Sequence, residues 1–223
     1  MDQRQEDAFW ETIGIFNAEG LLPYVMIIGS WAEYIYSHHF STNFLPNLRT
    51  RDIDFFYSNI RKPANKIDIT KALTNNGYSC TISPMSGITK FLKEDLFEIE
   101  FLTRVIGSGT EDIYEIPSIG IRAMGIREIN MLSDYPLQLS CRDFLLTVPE
   151  PAIYVLQKLF INPTRLPEYK REKDLNAVRM LLVHINQSTR DKKQMNIIFN
   201  SLTPKIQNVI KDVCSKNYID YIN

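Results

Sequence analysis

The sequence predicts an α/β domain followed by a C-terminal helical domain, and three observations support this division. Short apolar runs alternate with helical patterns as far as Val148. Beyond it the apolar residues recur at helical spacing, with Ala152, Val155 and Leu159 on one helix face. The charge also changes sign, because residues 1–150 carry 13 Lys and Arg against 20 Asp and Glu, whereas residues 151–223 carry 12 against 6. We therefore predict domains at 1–147 and 148–223.

The first domain opens with a helical pattern and continues with a series of strands. Phe9, Ile13 and Phe16 lie at helical spacing, and the apolar run at 25–28 is short enough to be a buried strand. A helix is predicted at 31–39, a strand at 52–57 and a helix at 66–76. Further strands are expected at 78–82, 88–93 and 96–103, with shorter ones around 120–123 and 137–140.

In the second domain, the pattern at Ala152, Val155 and Leu159 defines the first helix. Leu175, Val178 and Leu182 mark the apolar face of the next. A third amphipathic stretch extends from Ile197 to Val213. The basic character of these helices suits contact with phosphates, although two ordinary solvated surfaces of opposite charge would give the same totals.

Composition excludes several classes of protein. With 223 residues and 44% apolar side chains, the chain can bury one large core or two modest ones. Its longest apolar runs are far shorter than the roughly 20 residues that a membrane helix requires. The polar N-terminus lacks the features of a secretory signal, so we expect a cytoplasmic protein. The widely spaced Cys80, Cys141 and Cys214 are interpreted as reduced thiols.

A pair of acids in the second strand is the first candidate for chemistry. Residues two apart on a strand point to the same face, so Asp52 and Asp54 project together while Ile53 enters the core. Two neighbouring carboxylates repel each other unless a positive group lies between them. Mg²⁺ prefers oxygen ligands and joins one or two carboxylates to substrate phosphates. The alternative is an edge strand with alternating solvated acids.

Upstream of these acids, an apolar strand turns at Gly29-Ser30 directly into a helix. Such a turn presents backbone N–H groups to an anion, and glycine lets a phosphate come close to the backbone. Ser30 adds a hydroxyl donor. A Gly-Ser turn can also be no more than a helix N-cap. The full order of strand, Gly-Ser, helix, loop and Asp-x-Asp strand is a much rarer combination than a Gly-Ser turn alone.

The segments Ile28-Gly29-Ser30-Trp31-Ala32 and Arg49-Thr50-Arg51-Asp52-Ile53-Asp54-Phe55 resemble the signature of the DNA polymerase β-like nucleotidyltransferase superfamily, most closely its AbiEii-like branch. The resemblance continues at residues 148–159 and 170–175. It implies a mixed sheet with flanking helices, followed by a helical domain. It also implies a third metal-binding carboxylate from a later strand. Glu100 is the favoured candidate, because it directly precedes Phe-Leu-Thr, and Glu98 on the same face is the alternative.

Two basic residues of the second domain also enter through this resemblance. Lys158 matches a lysine that is implied to hold the nucleotide phosphates in related toxins, and a solvated lysine is the alternative. Arg171 is spaced on the apolar stripe of its helix, where a guanidinium needs an anionic partner. Asp174 is one candidate for that partner, and a bound triphosphate is the other.

The resemblance implies transfer of an NMP from an NTP to a hydroxyl acceptor with release of pyrophosphate, in which Asp52, Asp54 and Glu100 hold Mg²⁺ or Mn²⁺. Gly29, Ser30, Lys158 and Arg171 are then expected to contact the phosphates. The acceptor is left open between tRNA or other RNA, a protein and a small molecule. Two alternatives remain at this point, a degenerate binding or antitoxin module of the same fold and a DxD glycosyltransferase.

Overall fold

A computed structural model describes residues 3–40, 44, 51–59, 62–105, 107 and 112–220. By internal contacts the chain divides into two compact units, residues 1–39 with 45–148 and residues 40–44 with 149–223. Residues 45–50, which include the Arg49-Thr50 part of the family signature, lie outside the described residues. Among the described helices, none combines the length and apolar character needed to cross a membrane.

The first unit begins with helix α1 (Gln3–Ala18), followed by a 3₁₀ turn (Leu22–Tyr24). The elements that follow are strand β1 (Val25–Ile28), helix α2 (Gly29–Tyr36), strand β2 (Asp52–Tyr57), helix α3 (Ile69–Asn75), strand β3 (Ser79–Ile82), strand β4 (Thr89–Lys93), strand β5 (Phe97–Arg104), strand β6 (Ile113–Ile116), strand β7 (Ile121–Ile126), helix α4 (Asn130–Ser133), strand β8 (Pro136–Cys141) and strand β9 (Phe144–Pro149). The strands predicted at 25–28, 52–57, 78–82, 88–93 and 96–103 are confirmed.

Within the described residues, seven strands form one mixed sheet whose main path is β1-β2-β5-β4-β3. Strand β5 lies parallel to β2 along one edge. Along its other edge, the first half of β5 pairs with antiparallel β4 and the second half with parallel β7. Strand β6 pairs with β7, whereas β8 and β9 form a separate two-stranded sheet. The mixed α/β fold class predicted from the sequence is confirmed.

An aromatic cluster fills the core beneath this sheet. Phe16 of α1 lies 4.8 Å from Phe55 of β2, and Phe55 stacks at 5.8 Å on Phe101 of β5, measured between ring centroids. All three side chains are fully buried. Fully burying one such ring contributes roughly 1.5–3 kcal/mol. The cluster therefore fixes which face of β2 and β5 is turned to the interior.

The second unit is helical in its described residues after Pro149. Helix α5 (Pro151–Ile161) is followed by a 3₁₀ turn (Asn162–Thr164), α6 (Glu168–Gln187), α7 (Thr189–Ser201) and α8 (Pro204–Lys216). The prediction of one amphipathic stretch from Ile197 to Val213 is wrong, because two helices cover it. Pro204 cannot continue α7 since it lacks an N–H, and the Thr203 side chain instead accepts from the Ile206 N–H as the N-cap of α8.

Candidate active site

The register between β2 and β5 gathers the predicted acids on one face of the sheet. Asp52 is paired with Glu98, and Asp54 with Glu100, across the parallel ladder. The Glu98 N–H donates to the carbonyl of Arg51 at 2.8 Å, which extends the pairing to the start of β2. Directly paired residues point to the same side of a sheet. Four carboxylates therefore share one small area.

The opposite face of the same strands explains this orientation. Ile53 and Phe55 of β2, and Ile99 and Phe101 of β5, are completely buried. Because strand side chains alternate, burial of these four turns the intervening acids outward. A shift of register by one residue would bury the carboxylates and expose the aromatic rings. The hydrophobic core thus specifies the position of the acids.

Gly29 makes the closest approach to this acidic face. It follows Ile28, which is paired with Asp54, and its backbone has a φ of +64°. A Cβ at position 29 would lie only 2.7 Å from Asp54 Oδ2. Both the left-handed backbone and the lack of space require glycine here. The Gly-Ser turn is therefore fitted against the Asp54 carboxylate.

The start of α2 is fixed by packing on its other side. Trp31 is 1% exposed, and its ring stacks on Phe9 of α1 with 4.4 Å between the centroids. Ser30 is the second residue of α2, and the residue in the N-cap position is Ile28, which has no side-chain hydrogen bond to the helix. Ser30 is therefore not the N-cap. This leaves an anion-binding role open for the first turn.

A residue not singled out from the sequence lies among the acids. Lys90 of β4 is paired in register with Glu100. Its Nζ donates to Glu98 Oε1 at 2.8 Å and also forms an ion pair with Glu100 Oε1. The side chains of the three residues are 19–27% exposed. One ammonium group thus bridges both candidates for the third carboxylate.

These contacts also alter the acid–base properties of the cluster. Burial lowers the pKa of Lys90, but the hydrogen bonds that Lys90 donates to Glu100 and Glu98 outweigh this effect, so the pKa is raised and the lysine stays charged. Burial raises the pKa of Glu100, even though Lys90 acts in the opposite direction. A carboxylate with a raised pKa is a better proton acceptor at neutral pH.

Two of the three carboxylates expected to bind a metal ion, Asp52 and Asp54, are suited to that role. Asp52 and Asp54 offer hard oxygen ligands on one face, which suits an Mg²⁺ ion that completes its shell with water and substrate phosphates. Gly29 leaves open the space that a side chain would fill beside Asp54. Within the described part of the chain, however, no group of three or more His, Cys, Asp or Glu is arranged to hold a metal ion. The carboxylates of Glu98 and Glu100 both face the ammonium group of Lys90.

The remaining predicted residues lie in the second unit. Lys158 of α5 donates to Asp174 Oδ1 at 2.6 Å, and its Nζ lies 4.8 Å from the centre of the Tyr154 ring. The Lys158 and Asp174 side chains are 12% and 5% exposed. Lys158 is therefore part of a largely buried ion pair between α5 and α6, and the solvated alternative is wrong.

Arg171 has a different partner from those considered on the sequence. Its Nε donates to the carbonyl of Arg165 at 2.9 Å, while Asp174 Oδ2 lies 3.3 Å from the Nε of Arg165. The Arg171 carbonyl in turn accepts from the Asn162 side chain at 3.1 Å. Arg171 thus braces the segment between α5 and α6, and Asp174 pairs with Lys158 and Arg165 instead.

Replacing Lys158 with methionine is expected to lower the free energy of unfolding by about 2 kcal/mol. Removal of one partner of a buried ion pair typically costs about 3–5 kcal/mol, and Arg165 remains beside Asp174 to reduce that loss. Urea unfolding measures the change. The matched control is Lys216→Met, because Lys216 pairs with Asp212 at 2.7 Å on the surface, with side chains 71% and 55% exposed. Equal losses for the two variants would contradict the structural role of Lys158.

The sequence model of a nucleotidyltransferase family matches residues 11–200. A search of curated protein sequences gave no match. Solved structures with a similar fold include an antigenic nucleotidyltransferase-like protein from Paracoccidioides brasiliensis, with 13% identity over 90% of this chain and 91% of that one and a TM-score of 0.46.

Two further solved structures have similar folds, and their sequence identity to this chain is similarly low. The lincomycin-bound lincosamide adenylyltransferase LnuA is 14% identical over 79% of this chain and 95% of its own, with a TM-score of 0.45. ANT(2″)-Ia in complex with adenylyl-2″-tobramycin is 10% identical over 96% and 99%, with a TM-score of 0.49. The assignment to a family rests on the family model, which matches most of the chain, and not on these structures. The chain belongs to the nucleotidyltransferase family, and the prediction of a nucleotidyltransferase enzyme is confirmed.

Proposed function

We propose that this enzyme is metal-dependent and transfers an NMP from an NTP to a hydroxyl acceptor, with release of pyrophosphate. The observation that carries the proposal is the placement of Asp52 and Asp54 on one face of β2, with Gly29 against Asp54. Family membership favours this function over the degenerate module and over the DxD glycosyltransferase. When bound at Asp52 and Asp54, Mg²⁺ or Mn²⁺ would stabilise negative charge on the reacting oxygens.

The residues of the chain are proposed to act as follows. Backbone N–H groups at Gly29 and Ser30 bind the β- and γ-phosphates of the NTP. The acceptor oxygen forms a bond to the α-phosphorus, and the bond from that phosphorus to the bridging oxygen breaks as pyrophosphate leaves. Glu100 takes the proton of the acceptor hydroxyl, for which its raised pKa is suited. Asp52 and Asp54 would hold the divalent cation, which would supply positive charge beside the reacting phosphate.

Lys158 and Arg171 remain proposed phosphate contacts on the strength of the motif resemblance. Lys158 must exchange Asp174 for a phosphate to act in this way, since the two side chains are hydrogen-bonded. Arg171 keeps further N–H donors beyond the one that binds the Arg165 carbonyl. We also propose that the chain lies near the AbiEii-like branch of the family, because the motifs at 28–32, 49–55 and 148–152 resemble those of that branch.

We propose RNA as the acceptor class. The support is electrostatic, because residues 151–223 carry 12 basic against 6 acidic side chains. In the second unit an open groove of about 530 Å³ is lined by Lys192 and Lys193 together with polar residues, namely Asn186, Thr189, Asn196 and Asn200. Cationic and amide side chains of this kind contact phosphate and sugar oxygens.

Incubation with each α-labelled NTP in the presence of Mg²⁺ and total RNA, total protein or a small-molecule extract tests the proposal. We expect label in RNA, and we expect it to vanish when Mg²⁺ is chelated. Label in protein or in a small molecule would contradict the RNA acceptor while leaving nucleotidyl transfer intact. Transfer that continues without any divalent cation would contradict metal dependence.

A further inference from the structure

Lys90 introduces a fixed positive charge into the proposed active site. Its ammonium group donates to Glu98 at 2.8 Å and is ion-paired with Glu100. The two glutamates are the residues paired across the ladder with Asp52 and Asp54. Lys90 therefore lies on the same face of the sheet as all four carboxylates.

The backbone around Lys90 holds it in this position. The preceding residue, Thr89, is 6% exposed and accepts a hydrogen bond from the Arg122 N–H at 2.9 Å. The following residue, Phe91, is completely buried and packs against Phe101 with 6.4 Å between the ring centroids. Movement of the β4 backbone would break these contacts, so only the flexible end of the lysine side chain is free to adjust.

The positive charge of Lys90 disfavours binding of a metal ion at Glu98 and Glu100. The ammonium group of Lys90 compensates one of the two negative charges of Glu98 and Glu100, and it occupies part of the lone pairs of both carboxylates. A divalent cation at that place would have to displace the lysine or approach it against repulsion.

We infer that Lys90 is a positioning residue that holds Glu98 and Glu100 in place of a second metal ion, so that the site binds one divalent cation, at Asp52 and Asp54. This inference rests on the proposed function. It departs from the arrangement that the motif resemblance implies, in which the third carboxylate binds a metal. Lys90 keeps Glu100 oriented toward the acceptor without a second ion.

Titration of the full chain with Mn²⁺ alone, followed by the electron paramagnetic resonance signal of the free ion, tests the inference. We expect the wild-type chain to bind a single Mn²⁺ and the double variant Asp52→Asn/Asp54→Asn to lose it. Lys90→Met should gain a second Mn²⁺, because Glu98 and Glu100 then lack their counter-charge. Lys90→Arg, which keeps the charge, should still bind a single ion.

Lys93→Met is the matched control, since Lys93 lies on the same strand, pairs with Glu11 at 3.0 Å and should leave the count unchanged. Two ions on the wild-type chain, or no second ion on Lys90→Met, would overturn the role of Lys90 and leave the proposed function standing. Binding that persists in the Asp52→Asn/Asp54→Asn variant would instead overturn the proposed metal site.

Discussion

Replacing Asp54 with asparagine is expected to lower the rate of nucleotidyl transfer at least about a thousandfold, which corresponds to roughly 4 kcal/mol of transition-state stabilisation. Asparagine keeps the shape of the side chain beside Gly29 but removes its charge. Divalent cations bind carboxylates far better than amides, so the variant would lose the cation that Asp52 and Asp54 are proposed to hold. The measurement is label transfer from an α-labelled NTP at saturating Mg²⁺.

Asp95→Asn is the matched control, because it removes the same charge from the same unit. Asp95 is exposed in the turn between β4 and β5. Its rate should stay within about twofold of the wild-type rate, which is a difference below about 0.5 kcal/mol. A second readout is thermal unfolding, in which Mg²⁺ with an NTP should raise the melting temperature of the wild-type chain but not of Asp54→Asn. A rate loss below about tenfold for Asp54→Asn would refute the assigned role.

Alternation along single strands was the most informative pattern in the sequence. It placed Asp52 and Asp54 on the face opposite Ile53, and the structure buries Ile53 and Phe55 completely. The prediction succeeded because burial of Ile53 and Phe55 fixes one face of β2 as interior, and the acids that alternate with them must then lie on the other face. Whether these acids bind a metal stays a prediction, since side-chain direction alone does not determine a ligand.

Lys90 was missed because strand pairing is not visible within one strand. The sequence did contain a signal, since the strands predicted at 88–93 and 96–103 are joined by a very short connection. In the structure a three-residue turn, Glu94–Leu96, sets the register, and this register opposes Lys90 to Glu100. A hairpin with a three-residue turn gives this pair, whereas the predicted bounds leave only residues 94–95 between the strands and would oppose Lys90 to Ile99.

The partner of Arg171 could not be predicted for a related reason. Helical spacing placed Arg171 on the apolar stripe of α6 and suggested an anion for it. The side chain is half-buried and donates to the backbone carbonyl of Arg165, which the non-helical segment before α6 brings into reach. Periodicity describes one helix at a time and contains no information on the path of the connecting segment.

Replacing Gly29 with alanine is expected to lower the transfer rate at least about a hundredfold and to destabilise the fold by about 1–2 kcal/mol. Stability falls because a non-glycine residue at a φ of +64° is strained. Activity falls because the new Cβ, 2.7 Å from Asp54 Oδ2, forces the carboxylate to move. A displacement of about 1 Å in a reacting geometry is enough for a hundredfold loss.

Gly20→Ala separates these two effects, since Gly20 has a φ of +71° and a Cβ there would meet no described atom within 4 Å. It should lose about the same stability and retain nearly full activity. Urea unfolding and label transfer are measured on both variants, with Mn²⁺ binding as a third readout. If Gly29→Ala and Gly20→Ala keep the same activity, contact between position 29 and Asp54 does not matter for the reaction. If only Gly29→Ala loses both Mn²⁺ binding and transfer, the Gly-Ser turn sets the position of the metal-binding carboxylate.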